Sequence, residues 1–491
     1  MVRFDATAEF RARRAHLGPW SAVLVGALVL GGLVLGSPGS AVTPAGAETA
    51  PPARWDPRVA KYVAFVEKHR KLGFDHPVKV EFLADAAFIK AYQRDDPEIT
   101  KQDRVEAERI AGELRAVGLI EGPVDLIESE RDLGATDTVG FYDQKRKALY
   151  VRGTDLADVD VRVTLVHELT HALQDQRFDL TELDDAVETE GEDFALTALI
   201  EGDATSVEDD YLFSLPQAEQ DAYFAGDPAD TVDDATSPGI PPVLDLFTSG
   251  PYVFGARYIG LLRQAGGERR VDDAFAAPPV TEEEIIDPVA ARAAQRGRRV
   301  ATPKLTTEER RSGKPNEFGA WSLYLVLASR LDPELALHAA EGWGGDRYVG
   351  FTERGSGGQE CLRISIVGDT SADTAELADA FSQWAALLPA DAATSTRVGS
   401  RVDVSACDTG STTAADDATL EAAVTLLVDR NDIALELLRA EAPPRRARCA
   451  ADRLAVDPTL VALLDEAEFT PEQEDQFTDL VSHALTACRT T

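Results

Sequence analysis

Two histidines four residues apart on one predicted helix constrain this chain more than any other feature of its sequence. Residues 161–176 carry apolar side chains at helical spacing, which predicts an amphipathic helix. His167 and His171 lie one turn apart on the same face of that helix, so both imidazoles can reach one metal ion. Glu168 lies about 100° further round the helix, where its carboxylate can take a proton from a water held by the metal. The pattern therefore predicts a zinc-binding helix with its own general base.

Two histidines leave a zinc ion one short of the three protein ligands that catalytic zinc sites use. No histidine follows His171 before His338, which favours an acidic ligand from the next predicted helix, residues 193–212. Glu201 ends an apolar run there, and a carboxylate is costly to bury unless it meets a positive charge. We therefore predict one catalytic zinc ion on His167, His171 and Glu201. The competing acidic candidates are Glu190, Glu192 and Asp203.

The first 50 residues predict an export signal and not a part of the fold. Basic residues precede an uncharged apolar stretch, residues 20–36, and small residues follow it, which is typical of a signal for secretion. The apolar stretch is also long enough for a short transmembrane helix. Residues 1–47 are therefore a signal peptide or a signal anchor, and the positive-inside rule places the rest of the chain outside the cytoplasm. We expect a secreted protein, or one anchored in the cell membrane through residues 20–36.

Four cysteines in the last third of the chain agree with export. An even number in an oxidising compartment suggests two disulfides, with free buried thiols as the alternative. Three pairings are open, and sequence order and segment lengths favour Cys361 with Cys407 and Cys449 with Cys488. A cysteine metal site is disfavoured, because no two cysteines have the spacing of a metal-binding pair.

The acidic composition excludes one class of partner. Acidic side chains outnumber basic ones by 86 to 49, which gives a formal charge of −37. Nucleic acid is itself a polyanion, so a surface of the same sign argues against DNA or RNA binding. The same charge attracts cationic peptides and repels acidic ones, a bias that salt screens.

The remaining pattern predicts helices mixed with a few strands. Residues 55–118 read as helical, residues 137–152 as a β-hairpin with a polar turn, and residues 226–243 as a loop or an insertion. A change of composition around residues 409–416 marks a boundary, after which residues 417–491 are expected to form a small disulfide-linked helical domain. Further expected elements are helices at 318–331, 333–341 and 373–388 and a strand at 362–366.

The zinc motifs resemble those of a known family. HELTHALQDQ at residues 167–176, with Glu201 in ALIEGDAT, is similar to the gluzincin metallopeptidases, and in particular to a poorly characterised group of exported bacterial and archaeal proteins. The resemblance implies an α+β, zincin-like metallopeptidase domain over residues 55–408, with the same zinc ligands and Glu168 as general base. In that fold an edge strand pairs with an extended peptide, and residues 149–152 are the candidate for this edge strand. The alternative is an ordinary sheet strand that binds no substrate. Weaker matching pieces lie at 140–143, 250–255, 278–282 and 342–348.

Two functions of the gluzincin site have no obvious residue here. Many gluzincins carry an aspartate four residues after the glutamate ligand, where it orients a zinc histidine, whereas this chain has Thr205. Asp203 or Asp175 can take that role. A stabiliser of the developing oxyanion is also not identified. The candidates for this role are Tyr252, Arg257 and Tyr258. The alternative is that the two tyrosines are core aromatics and the arginine lies on the surface.

The sequence therefore predicts an exported zinc peptidase that acts on peptide or protein substrates. The rival is a binding or scaffolding protein of the cell envelope that keeps the zinc fold but does not turn over a substrate. A weaker third alternative is hydrolysis of a non-peptide envelope substrate. Glu168 favours the enzyme, because structural zinc has no use for that carboxylate. The absence of aspartate at position 205 favours the rival.

Overall fold

The chain folds as a mixture of helices and two small sheets in a computed structural model. The α+β class expected from the sequence is confirmed. No helix of the described residues is long and apolar enough to cross a membrane, and the predicted signal at 1–47 lies outside them. The structure describes residues 51–95, 99–129, 131, 139–225, 240–289, 297–355, 358–464 and 469–489.

The N-terminal part of the chain alternates helices with the three strands of the first sheet. In chain order its elements are α1 (Ala60–Arg70), β1 (Lys79–Leu83), α2 (Asp85–Tyr92), α3 (Lys101–Ala116), β2 (Gly140–Asp143), β3 (Ala148–Arg152), α4 (Val159–Phe178), α5 (Leu180–Asp185), α6 (Glu190–Ser214) and α7 (Gln217–Ala225).

The first sheet corrects the expectation of an edge strand at residues 149–152. Its strand order is β1-β3-β2, so β3 is the central strand, parallel to β1 and antiparallel to β2. The sequence reading missed β1 because the apolar spacing of Phe82, Phe88 and Ile89 imitates a helix. Within the described residues, β2 is the edge of this sheet that lies beside α4.

Helix α4 is buried on nearly every side from Val161 to Asp175. The predicted apolar stripe, which includes Leu165 and Leu169, packs with β3 and α1 in what we call the sheet cluster. The C-terminal half of α6 closes this cluster from the other side. Members of the sheet cluster include Val66, Val151, Leu165, Leu169, Val207 and Leu212.

The rest of the chain adds a second sheet and most of the helices. In chain order these elements are α8 (Pro242–Gly266), α9 (Glu268–Ala276), α10 (Glu282–Ile286), β4 (Glu309–Arg311), α11 (Ala320–Ala328), α12 (Pro333–Glu341), β5 (Trp343–Glu353), β6 (Glu360–Gly368), α13 (Ser371–Leu387), β7 (Ala393–Val398), β8 (Arg401–Cys407), α14 (Asp417–Arg439), α15 (Pro444–Ala455), α16 (Pro458–Leu464) and α17 (Pro471–Ala487).

A larger apolar core, the main cluster, joins the second sheet to the helices around it. This sheet is antiparallel, with the order β4-β5-β6-β8-β7. The N-terminal halves of α6 and α14 and the length of α8 pack into the same cluster. Members of the main cluster include Leu199, Phe254, Trp321, Ile364, Trp384 and Leu427.

Both disulfides favoured by the sequence are confirmed. Cys361 on β6 is bonded to Cys407 on β8, and Cys449 on α15 is bonded to Cys488. These bonds indicate an oxidising, extracytoplasmic environment. The second bond lies in a third apolar core, the C-terminal cluster, which includes Leu437, Ala450, Leu463, Phe477 and Cys488.

Helices α6 and α8 cross in backbone contact through two glycines. A Cβ atom added at Gly202 would lie 2.1 Å from the carbonyl carbon of Gly255. One added at Gly255 would lie 2.2 Å from the carbonyl oxygen of Ala198. This contact fixes α8 against the segment of α6 that carries Glu201, so it decides which α8 side chains reach that residue.

We predict that Gly255→Ala destabilises the fold although alanine favours a helix. The methyl group meets backbone atoms of α6, and such overpacking costs about 1–3 kcal/mol of unfolding free energy. The control is Gly260→Ala on the same helix, where the new methyl group meets only the side-chain end of Leu435 at 3.0 Å. Denaturant unfolding measures both variants. Equal stability of the two proteins would contradict the close crossing.

Candidate metal centre

Three buried side chains converge on one point between α4 and α6. His167 Nε2 lies 3.2 Å from Glu201 Oε2, and His171 Nε2 lies 3.3 Å from the same oxygen. One donor atom from each of the three residues falls within 4.8 Å of the others, which makes them a group that could hold a metal ion. The structure thus brings together the three ligands predicted from the sequence.

The outer nitrogen of each imidazole is held by an oxygen acceptor. His167 Nδ1 lies 2.7 Å from Glu208 Oε2, and His171 Nδ1 lies 2.9 Å from Gln174 Oε1. Acceptors at Nδ1 hold a ring proton there and direct Nε2 inward, so that a neutral ring presents the Nε2 lone pair that binds a metal. Both rings are therefore oriented as ligands.

Glu168 lies beside this group with both carboxylate oxygens buried and, among the described residues, without a hydrogen-bond partner. Burial raises its pKa to about 7, although the neighbouring His171 and His167 oppose the shift. The close approach of β2 requires glycine at position 140. A Cβ atom there would lie 2.5 Å from Thr164 Cγ2 and 3.0 Å from Glu168 Cγ. The edge strand therefore passes directly over the predicted base.

The charges within the group are strongly coupled. Burial lowers the pKa of His167, but hydrogen bonds to Glu201 and Glu208 outweigh it and raise the pKa to about 10. Burial alone would raise the pKa of Glu201, yet the two histidines hold it below its ordinary value. A bound cation would take the place of the imidazolium proton, so metal and proton compete for this position.

Of the three oxyanion candidates, the structure brings only Tyr252 to the group. Its pKa is raised well above the ordinary value by burial and then by the adjacent Glu201 and Glu168 carboxylates. Arg257 instead donates to Asp432 on α14 at 2.8 Å. Tyr258 packs in the main cluster. Successive residues are rotated by about 100° on a helix, so side chains five and six positions beyond Tyr252 face other neighbours.

The other acidic candidates have different partners. Glu190 accepts a hydrogen bond from Asn316, and Glu192 accepts one from the backbone of Glu188. Asp203 accepts from Arg70 Nε and from Gln174, so it reaches His171 only through the Gln174 amide. Asp175 does not approach either histidine through a hydrogen bond within the described residues. It accepts instead from Tyr142 and Lys147 of the β2–β3 hairpin, each at 2.7 Å.

The sequence interpretation missed the residues that orient the histidines, Glu208 and Gln174. The first lies seven residues after Glu201 and the second seven after His167, so each shares a helix face with a ligand two turns away. That spacing was available as a signal. Which of the many polar residues on these helices meet across the gap depends on the crossing of α4 and α6, which the sequence does not specify.

Comparisons with known proteins leave the site without a family. A family model described as "Domain of unknown function (DUF8575)" matches residues 306–437, which include the second sheet and most of α14. This match covers about a quarter of the chain and none of the ligand group. No curated protein and no solved structure matches the chain.

We predict that Glu208→Gln weakens metal binding without unfolding the protein. The amide keeps an acceptor near His167 Nδ1 but loses the charge, and changes at such partners cost about 10–100-fold in metal affinity. The control is Glu219→Gln, which removes a carboxylate paired with Arg162 of the same helix, α4. Competition with a chromophoric zinc chelator measures both. Unchanged affinity in the first variant would show that the outer partner of His167 has no influence.

Proposed function

We propose that the chain is an extracytoplasmic zinc-dependent peptidase. The observation that carries the proposal is the inward direction of two histidine Nε2 atoms toward one Glu201 oxygen, with both Nδ1 atoms already held. The finer expectation, that the protein is secreted or anchored through residues 20–36, belongs to the same proposal.

The spacing of the donor atoms supports zinc. Zinc binds histidine nitrogen and carboxylate oxygen at about 2.0–2.2 Å, and a tetrahedron of that size has edges of about 3.3–3.6 Å. The two nitrogen–oxygen separations, 3.2 and 3.3 Å, are close to such edges. The nitrogen and oxygen donor set is also one that zinc accepts. Within the described ranges, His171 Nε2 and Glu201 Oε1 are buried without a hydrogen-bond partner, so a cation would satisfy both.

The number of ligands supports a catalytic site over a structural one. Catalytic zinc sites use three protein ligands and leave a position for water or substrate, whereas structural sites use four. In the part of the chain that the structure describes, the group contains three candidate ligand residues. When bound, zinc lowers the pKa of a water ligand and polarises a carbonyl oxygen.

Glu168 supplies the acid–base chemistry in this proposal. Its carboxylate accepts the proton of the attacking water and passes it to the leaving amine, and a pKa near neutrality suits both steps. No side chain or backbone group in the described part of the chain forms a hydrogen bond with either oxygen, so both are available for this transfer.

The edge strand β2 supports a peptide as the substrate. The N–H of Arg152 donates to the carbonyl of Val139, which places the hydrogen-bonded pairs of the ladder at Val139 and Phe141. The N–H and C=O groups of Gly140 and Tyr142 therefore point away from β3. An extended peptide paired with them would pass beside Glu168, against which Gly140 packs. A helix that carries the ligands beneath such a strand is the arrangement expected of a zincin-like domain.

The second candidate function is a zinc-fold binding or scaffolding protein of the envelope that does not turn over. The burial of the group favours it, because Glu168 and Glu201 are fully buried and the two histidines are at most 2% exposed. A third, hydrolysis of a non-peptide envelope substrate, uses the same group but does not need the edge strand.

We predict that Glu168→Gln abolishes hydrolysis and keeps zinc. Removing a general base costs about 10²–10⁴-fold in rate, while none of the three ligands is changed. The assay is cleavage of a proteome-derived peptide library, read by mass spectrometry, together with the zinc content of the purified protein. The control is Glu182→Gln, an exposed carboxylate on α5. Full activity in the Glu168 variant would rule out this mechanism, and a wild-type protein that holds zinc but cleaves nothing would favour the scaffold.

We predict that Tyr252→Phe lowers kcat more than it raises KM. The lost hydroxyl lies beside Glu201, where it can donate to the developing oxyanion, and loss of such a donor costs about 10²–10³-fold in kcat. Tyr258→Phe is the matched control, since its ring packs in the main cluster. A Tyr252 variant with normal kcat would remove this residue from the mechanism.

A further inference from the structure

We propose that a relay of three buried side chains decides which ring nitrogen of His171 faces the metal position, and that its outermost member is a positioning residue. The inference rests on the proposed function only for the identity of the metal. The relay consists of Gln174, Asp203 and Arg70.

The inner step of the relay fixes the orientation of an amide. Gln174 Nε2 donates to the backbone carbonyl of Ile200 at 3.0 Å and to Asp203 Oδ2 at 2.9 Å. Both N–H groups of this amide are thus used on oxygens that accept. If the amide turned over, its carbonyl oxygen would face those two acceptors. The carbonyl of Gln174 must therefore face His171, and Nδ1 of His171 must be the donor.

The outer step, from Arg70 to Asp203, keeps Asp203 an acceptor for the amide of Gln174. Arg70 Nε donates to Asp203 Oδ2 at 2.8 Å, and at most 1% of either side chain is exposed to solvent. A guanidinium can only donate, so the oxygen it meets must accept. The other arms of Arg70 donate to Glu268 at 2.6 Å and to Asp272 at 3.0 Å, both on α9. These contacts hold the guanidinium in place. Asp203 therefore accepts from Arg70 on one side and from Gln174 on the other, and the inner members of the relay donate outward toward it.

The two histidines are consequently oriented by different means. His167 meets the Glu208 carboxylate directly, whereas His171 meets a neutral amide, with the charge of Asp203 one side chain further out. Arg70 balances that outer charge. The relay therefore orients His171 without placing a second unpaired carboxylate beside Glu168.

The first test removes the donors at the centre of the relay. Gln174→Glu removes both N–H groups and sets two carboxylates against each other, so we expect zinc affinity to fall by about 10–100-fold. Adding Asp203→Asn removes the second carboxylate and with it the repulsion. Arg70 and Gln174 donate to the same oxygen of Asp203, so the new amide can keep only one of these two contacts. The double variant should therefore recover part of the loss, since directly contacting residues couple strongly. Zinc affinity is measured by chelator competition on folded protein, without any assay of hydrolysis.

The second test addresses the outermost residue. Arg70→Met should weaken zinc binding and alter the visible absorption of the cobalt-substituted protein, because that spectrum reports the arrangement of the ligands. Arg162→Met is the matched control, because it removes an arginine of α4 that is paired with Glu219 of α7, and it should leave both unchanged. Arg70→Lys, which keeps the charge but not the three-armed contact, should give a smaller effect of the same kind. It also keeps the test valid if the methionine variant does not fold.

The outcomes separate this proposal from the proposed function. Equal weakening in the Gln174→Glu single and double variants would overturn the relay. So would an Arg70 variant that loses only stability, with wild-type zinc affinity and cobalt spectrum. A protein that binds zinc and shows the double-variant recovery but cleaves no peptide would overturn the peptidase and leave the relay standing. A wild-type protein that binds neither zinc nor cobalt would overturn both.

Discussion

The burial of three carboxylates beside two imidazoles is the constraint on which the arrangement of the central helices depends. Glu168, Glu201 and Glu208 lie away from water, where an unpaired charge costs several kcal/mol after relaxation. The histidines of α4 can compensate the last two only if α6 runs alongside with those carboxylates facing them. Glu168 has no such partner in the part of the chain that the structure describes. Burial accordingly raises the pKa of Glu168 to about 7, and the cation of the proposed function would balance its charge.

The polar group lies at the seam between two apolar cores. On α6, the residues before Glu201 pack into the main cluster, and those from Val207 onward pack into the sheet cluster. The helix passes from one core to the other at the turn that carries the ligand. Gly202 and Gly255 bring α8 close to that same turn, and this contact places Tyr252 beside Glu201. Polar side chains can therefore lie together at this boundary without interrupting the apolar packing of either cluster.

The sequence predicted what depends on spacing along one helix and missed what depends on contact between helices. His167, His171 and Glu201 were found because they follow a local repeat and an energetic argument about a buried carboxylate. The hairpin was found from its alternation, but its neighbour β1 was not, so the edge strand was assigned to residues 149–152. Both disulfide pairings followed from their order along the chain.

The misplaced and missed site residues share one physical cause. Arg257 and Tyr252 are five residues apart on α8, and only the angle at which α8 crosses α6 decides which of them meets the site. Glu208 and Arg70 are likewise defined by partners on other helices. Such angles are set by packing, and here by two glycines whose effect is visible only when both helices are in place.

Helix α14 has a consequence for how this chain can be divided. Its first half contributes Leu420 and Leu427 to the main cluster, and its second half contributes Leu437 to the C-terminal cluster. One continuous helix thus belongs to two cores, and the family match that ends at residue 437 includes nearly all of it. A break within residues 409–416 would remove apolar side chains from the larger core. Both cores keep their full apolar packing only while α14 stays joined to the second sheet on one side and to the C-terminal helices on the other.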